Sequence, residues 1–370
     1  MSTLTQTDFV RAKNPVRVLS VDDSAFFLKV LSEILGHDSD IRLVGCATDP
    51  YDARDRLSEL PVDVLTLDLE LPRMGGLTFL KLIMERKPMP VIVLSSSTPT
   101  GSKKAVEALI AGAYAVIEKP SNFAHNPSFS ETLIKGIKSA AGAPLRRQRP
   151  ALLNPCLPAQ TTRMPAFDSR QIIALGASTG GTQALEEVLT TLPSTLPGIV
   201  VVQHIPAGFS ASFAARLNQA CSMEVREARD GDVLHHGLAL LAPGDRHMEV
   251  QWVRDHYRVR LHSGPMVEHQ RPSVDVLFQS LARCAGPHIV AALLSGMGRD
   301  GAAGMKQLHD LQAYTIAQDA DSSVVYGMAR KAVELHAIHA IVPLENIASE
   351  IIKALEIHHK QTRSINYAKA

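Results

Sequence analysis

The stretch Ile172-Ile173-Ala174-Leu175-Gly176-Ala177-Ser178-Thr179-Gly180-Gly181 decides the fold of the second half of the chain. An apolar run leads into a glycine turn and a serine, then a helical pattern with Leu185, Val188, Leu189 and Leu192 on one face. Strand, tight turn, serine and helix in that order lift a hydroxyl out of a sheet edge and hold it at a helix N-terminus. Downstream the alternation continues through Gly198–Val202, ending at Gln203-His204, and a helix from about Ser210 to Asn218. Leu238–Gly244, a hairpin-like stretch around Val250–Leu261 and a helix over Ser273–Cys284 follow. Ile289–Leu294 leads into Ser295-Gly296-Met297-Gly298-Arg299-Asp300-Gly301, with further strands at Ala313–Ala317 and near Ile341. The pattern predicts an α/β domain with a mainly parallel sheet.

Upstream the same alternation appears five times. Strands are expected at Val16–Val21, Ile41–Cys46, Val62–Leu67, Val91–Leu94 and Ala115–Ile117, each followed by a helix. The first helix places Phe26, Phe27, Val30, Leu31 and Ile34 on one face. This is a doubly wound parallel sheet, and ligands of such sheets sit beyond the carboxyl ends of the strands. Those ends carry Asp22, Asp23, Asp68, Ser95 and Lys119. Any one acid there reads as a cap or a solvated residue. Together they read as a site for a hard cation such as Mg²⁺, where a carboxylate attacks a phosphoryl group.

Between the halves, Ala140–Asp168 holds five prolines, the cluster Arg146-Arg147-x-Arg149 and no sustained apolar pattern, and reads as an exposed linker. The expected units are 15–138, 139–168 and 169–357. A chain of 370 residues fits two domains. The net charge of +1 gives no electrostatic case for nucleic acid or for an anionic membrane. No apolar run reaches the roughly 18–20 residues of a membrane span. Met1–Asn14 lacks a signal-peptide core, and Cys46, Cys156, Cys221 and Cys284 show no metal or disulfide spacing. A soluble cytoplasmic protein without membrane insertion is expected.

The strand-end rule also gathers Ser178, His204 and Asp300 at one edge. Histidine activates a serine hydroxyl near neutral pH and a carboxylate fixes its tautomer, while the Gly296-Met297-Gly298 loop offers N–H groups to an oxyanion. Each residue has a plainer reading. The serine turn is weak evidence alone, His204 suits a packed histidine, and Asp300 suits a turn. His235, His236, His247 and His269 share no ligand spacing and read as surface or packing residues, with His247 placed to line the cleft. The order Ser, His, Asp disfavours the α/β-hydrolase fold.

Two resemblances sharpen this. Asp22-Asp23, Asp68-x-Glu70-x-Pro72-x-x-x-Gly76, Ser95 and Lys119-Pro120 resemble the receiver domains of bacterial two-component response regulators. That resemblance implies a flavodoxin-like fold and a phosphoryl group on Asp68 supplied by a histidine kinase. It further implies Mg²⁺ held by Asp22, Asp23, Asp68 and the Glu70 backbone, with Ser95 and Lys119 contacting the phosphoryl group. Leu71 and Val116 depart from the usual methionine and aromatic of that family.

The blocks Gly176–Thr182, Gln203–Phe209, Leu241–His247, Arg271–Asp275 and Ser295–Gly304 are similar to those of chemotaxis protein-glutamate methylesterases. That resemblance implies a Ser178–His204–Asp300 triad, an oxyanion contact at Met297 with Thr179 beside the nucleophile, and no cofactor for the esterase. It implies methyl-accepting chemotaxis receptors as substrates, with glutamine deamidation alongside. The one departure here is Ala329, where the family usually has proline. Two rivals remain: a DNA-binding regulator, against which the neutral charge and the triad count, and a non-catalytic receiver-regulated scaffold of a chemosensory array.

Overall fold

The computed structural model describes residues 14–96, 98–120, 126–142 and 167–367, with backbone alone at 99–102 and 358–367. Residues 143–166, with the arginine cluster, lie outside the described residues, as do the side chains of the tail from His358.

In the N-terminal half, strands β1 (Val16–Val21), β2 (Ile41–Ala47), β3 (Val64–Asp68), β4 (Val91–Ser95) and β5 (Ala115–Glu118) form one sheet in the order β2-β1-β3-β4-β5. Every pairing is parallel. Helices α1 (Ala25–Gly36), α2 (Pro50–Glu59), α3 (Gly76–Arg86), α4 (Pro99–Ile110) and α5 (Pro127–Ala141) alternate with them. β3 and β4 are buried along their whole length, as strands covered by helices on both faces must be. The strand order turns back between β1 and β3, so the ends carrying Asp22 and Asp68 flank the crevice. Helix α1 starts at its Ser24 cap, whose Oγ accepts the Phe27 N–H at 3.2 Å. Its buried face is Phe27, Leu28, Leu31 and Leu35, while Phe26 is 64% exposed. The expected stripe is therefore rotated by one residue, because the cap sets where the helix begins.

The C-terminal half contains strands β6 (Ile172–Ala177), β7 (Ile199–Gln203), β8 (Glu224–Glu227), β9 (Leu238–Leu241), β10 (His247–Val253), β11 (His256–His262), β12 (Ile289–Leu293), β13 (Tyr314–Gln318) and β14 (Ala340–Val342). Its helices are α6 (Gly181–Thr191), α7 (Phe209–Ala220), α8 (Val274–Cys284), α9 (Ala302–Asp310), α10 (Met328–Glu334) and α11 (Leu344–Tyr367). Seven strands make an all-parallel sheet in the order β14-β13-β12-β6-β7-β9-β8. β10 and β11 form a separate antiparallel hairpin. The α6 residues Leu185, Val188 and Leu189 are buried as their spacing requires, as is Leu192 just beyond the helix.

Helix α4 of the first half packs on α6 and α7 of the second. Gln183 Nε2 donates to the Leu109 and Ile110 carbonyls at 2.8 and 3.3 Å, capping the last turn of α4. Among the described residues no helix is long and apolar enough to cross a membrane.

Candidate active site and acidic pocket

The strand β6 lies between β12 and β7, and the three sequence-predicted residues come from the carboxyl ends of these neighbours. Ser178 leaves β6 with its N–H bonded to the Ser295 carbonyl at 3.0 Å. His204 leaves β7 with its N–H on the Ala177 carbonyl, also at 3.0 Å. Asp300 sits at the end of the loop that follows β12. His204 Nε2 and Asp300 Oδ2 are 2.7 Å apart, with both side chains almost fully buried.

Asp300 is held at the N-terminus of α8. It accepts from Ser273 Oγ (2.7 Å), Val274 N (2.7 Å) and Asp275 N (3.0 Å). The open donors of a helix start favour a negative charge. Burial pushes the Asp300 carboxyl upward, but the hydrogen bond and charge of His204, with the Ser273 and Asp275 donors, outweigh it and hold the group below the ordinary carboxylate range. An ionised carboxylate only accepts, so His204 Nε2 carries the proton and Nδ1 is the basic atom. Nδ1 is buried and has no hydrogen-bond partner.

The Gly296 loop closes the other side of the serine. A Cβ on Gly296 would lie 2.8 Å from Ser178 Cβ and 2.2 Å from Met328 Sδ, so only glycine permits this approach. The N–H groups of Met297 and Thr179 make no hydrogen bond among the described residues, which leaves both able to meet a developing oxyanion. Gly327 and Met328 donate their N–H groups to the Gly296 carbonyl at 3.1 and 2.9 Å. The segment holding Ala329 thus buttresses this loop, a role its departure from the family pattern does not reveal.

In the N-terminal half the carboxylates of Asp22, Asp23 and Asp68 offer oxygens that all lie within 4.8 Å of one another. Asp22 and Asp68 are buried and Asp23 is exposed. Lys119 Nζ lies 2.7 Å from Asp22 Oδ2 and 2.6 Å from Asp68 Oδ2. Burial lowers the Lys119 ammonium, and the two carboxylates reverse this and hold it above its usual value. Asp22 is raised, first by burial and then by the charge of Asp68, against the opposing pull of Lys119. The Glu70 N–H donates to Asp68 Oδ1 at 3.0 Å, which brings that backbone beside the cluster. Ser95 is buried at the end of β4, and its carbonyl accepts the Lys119 N–H at 2.8 Å. Three carboxylates against one ammonium leave negative charge uncompensated on hard oxygen donors, and this set fits Mg²⁺.

A family model described as CheB methylesterase matches residues 173–351, and one described as response regulator receiver domain matches 18–125. A Pseudomonas aeruginosa PAO1 protein named "Protein-glutamate methylesterase/protein-glutamine glutaminase 2" is 48% identical over 341 residues, covering 92% of this chain and 97% of its own. The chain belongs to the CheB methylesterase family. A Salmonella typhimurium relative, named "Protein-glutamate methylesterase/protein-glutamine glutaminase", is 42% identical over 339 residues, covering 91% and 96% of the two chains. The crystal structure of the Thermotoga maritima CheB methylesterase catalytic domain is 32% identical with a TM-score of 0.49, covering 50% of this chain and 97% of that one.

Sequence reading missed the residues that hold Ser178, His204 and Asp300 in this methylesterase-family chain. Ser273 caps α8 and bonds Asp300, and a serine directly before an apolar helical pattern was the available signal. Ser295 Oγ donates to the Thr179 carbonyl at 2.8 Å and accepts the Val325 N–H at 3.0 Å. Gln203 sits beside His204 without an assigned role. His247 is buried, bonds the Pro265 carbonyl through Nε2 at 2.9 Å and packs on the His262 ring, while His235, His236 and His269 are exposed.

Proposed function

We propose that this chain hydrolyses γ-glutamyl methyl esters on the cytoplasmic regions of methyl-accepting chemoreceptors, and deamidates receptor glutamines at the same site. The observation that carries this reading is the buried His204–Asp300 pair, with the unpartnered Nδ1 of His204 on the strand next to Ser178. Ser178 Oγ attacks the ester carbonyl while His204 Nδ1 takes its proton. The tetrahedral oxyanion is met by the N–H groups of Met297 and Thr179. His204 returns the proton to the departing methanol, leaving an acyl group on Ser178. Water, activated by the same nitrogen, then releases glutamate. A glutamine side chain follows the same course with ammonia as the leaving group.

Asp68 is the acceptor of a phosphoryl group from a histidine kinase of the same chemosensory system, and Ser95 and Lys119 meet its oxygens. Asp22, Asp23, Asp68 and the Glu70 backbone would hold Mg²⁺, which would supply charge neutralisation for the transferring phosphoryl group. The units of this cytoplasmic enzyme are 15–138, a joining segment 139–168 and 169–357. The packing of α4 on α6 and α7 supports a regulatory scheme in which phosphorylation shifts the two halves toward an open arrangement.

The test is methanol release from methylated receptor membranes with and without a phosphodonor and Mg²⁺. Release should need Ser178 and should rise with the phosphodonor only when Asp68 is intact, so Ser178→Ala and Asp68→Ala are the informative variants. No release, together with no labelling of Ser178 by a serine-reactive phosphonate, would leave the chain a scaffold.

A further inference from the structure

Gln203 is the last residue of β7 and directly precedes the base. Its side chain is 3% exposed. It does not point back into its own strand but reaches across to the neighbouring one. One amide nitrogen, Nε2, donates to the Ser178 carbonyl at 2.8 Å and to the His204 carbonyl at 3.0 Å. A primary amide has two N–H groups, so each carbonyl receives one. A single rigid planar group thereby spans the turn that carries the nucleophile and the turn that carries the base.

The surroundings fix that amide from the other side. A Cβ on Gly181, the first residue of α6, would lie 2.4 Å from Gln203 Oε1 and 2.6 Å from Ala177 Cβ. Oε1 is buried without a hydrogen-bond partner, so the amide is held by its two donated bonds and by packing. The backbone bond from His204 N to the Ala177 carbonyl sets the register of the strands but lies before both turns. Among the described residues Gln203 supplies the side-chain link between the Ser178 and His204 turns.

We infer that Gln203 is a positioning residue that sets the separation of Ser178 and His204 for proton transfer. It touches neither substrate nor the reacting atoms. Its removal therefore lowers kcat and leaves KM in place, because misplacing a reacting pair by about 1 Å costs on the order of 10²-fold in rate. This inference rests on the proposed roles of Ser178 and His204.

The experiment uses the full chain and methylated chemoreceptor membranes, with Gln203→Met and Gln203→Glu compared against wild type and Ser178→Ala. Methionine keeps the length of the side chain and loses both donors. Glutamate keeps the shape and, protonated in this buried setting, offers one O–H where the amide gave two donors. Both variants are expected to lose about 10- to 100-fold in kcat with KM within about twofold of wild type. Gly181→Ala is the second arm, since it crowds Oε1 while the two donors remain and alanine suits the first turn of a helix. It is expected to lower kcat at unchanged KM, a split that a purely structural role would not produce, and its thermal midpoint is measured alongside because the close contacts at Gly181 also cost stability. It also carries the test if either Gln203 variant fails to fold. Variants with wild-type kcat beside an inactive Ser178→Ala would overturn the role of Gln203 alone, whereas an active Ser178→Ala would overturn the site itself.

Discussion

Two buried carboxyls sit side by side at the start of α8, and their surroundings drive them in opposite directions. Asp300 has His204, Ser273 and the Asp275 N–H, and is held low. Asp275 lies in the same buried corner, where its Oδ1 accepts the Gly304 N–H at 2.7 Å. Burial, with the negative charges of Asp300 and Glu268 adding to it, pushes Asp275 up to about 6 against the Gly304 and Gly301 donors. The signs follow from which state binds the proton more tightly. For Asp300 the stabilisation is present above the unfolded value of 3.8 and is lost as pH falls through the lower folded value. For Asp275 the folded state holds the proton more tightly, so stability falls as pH rises from 3.8 to about 6 and the penalty is complete above that. At about 1.4 kcal/mol per unit the penalty reaches about 3 kcal/mol at pH 7. Asp275→Asn keeps an acceptor for Gly304 and removes the charge. It should be more stable than wild type at pH 7 by up to about 3 kcal/mol, with the gain shrinking toward pH 4. Urea denaturation of both proteins at the two pH values measures this, and an equal difference at both would show that Asp275 titrates normally.

Among the elements, helix α8 does the most to set the chemistry, because its first turn is the socket for Asp300. Ser273→Ala removes both the α8 cap and one donor to Asp300, while the Val274 and Asp275 N–H groups stay. We expect a loss of about 1–2 kcal/mol in stability and a roughly tenfold fall in kcat. A calorimetric midpoint and methanol release separate the two effects, and wild-type behaviour in both would remove Ser273 from this account. The strands that lead into Ser178, His204 and the loop of Asp300 were legible in the sequence because buried parallel strands read as unbroken apolar runs. Strand β8 was not, since Glu224-Val225-Arg226-Glu227 sits at the sheet edge and buries only Val225 fully. The supporting side chains escaped notice for a different reason. Gln203 reaches the residue 25 positions away and Ser295 reaches one 116 away, and no local spacing encodes such bonds. Phe26 misled because apolar spacing gives a helix face only to within a residue until the cap is known.

For the whole molecule, the contact of α4 with the catalytic half is the route by which the proposed regulation would reach Ser178. This helix follows β4, whose end carries Ser95, and its last carbonyls are capped by Gln183 from α6, the helix that starts just after Ser178. Gln183→Ala leaves the Leu109 and Ile110 carbonyls uncapped and should weaken the packing of the halves. The expected result is a severalfold higher methanol release without phosphodonor, converging on the wild-type rate when phosphodonor and Mg²⁺ are supplied. An unchanged basal rate would show that the Gln183 cap contributes nothing to restraint.

The placement of β6 between β7 and β12 has a consequence for biosynthesis. A nascent chain gains Ser178 and His204 early, but the acid that completes the site is 96 residues beyond the base, on a loop fixed only when β12 inserts beside β6. Pairing over such a distance comes late and slowly in a parallel sheet. On the proposed roles, the emerging polypeptide therefore carries Ser178 idle while still on the ribosome, and the power to cut an ester arrives only once the last third of the catalytic half has been made.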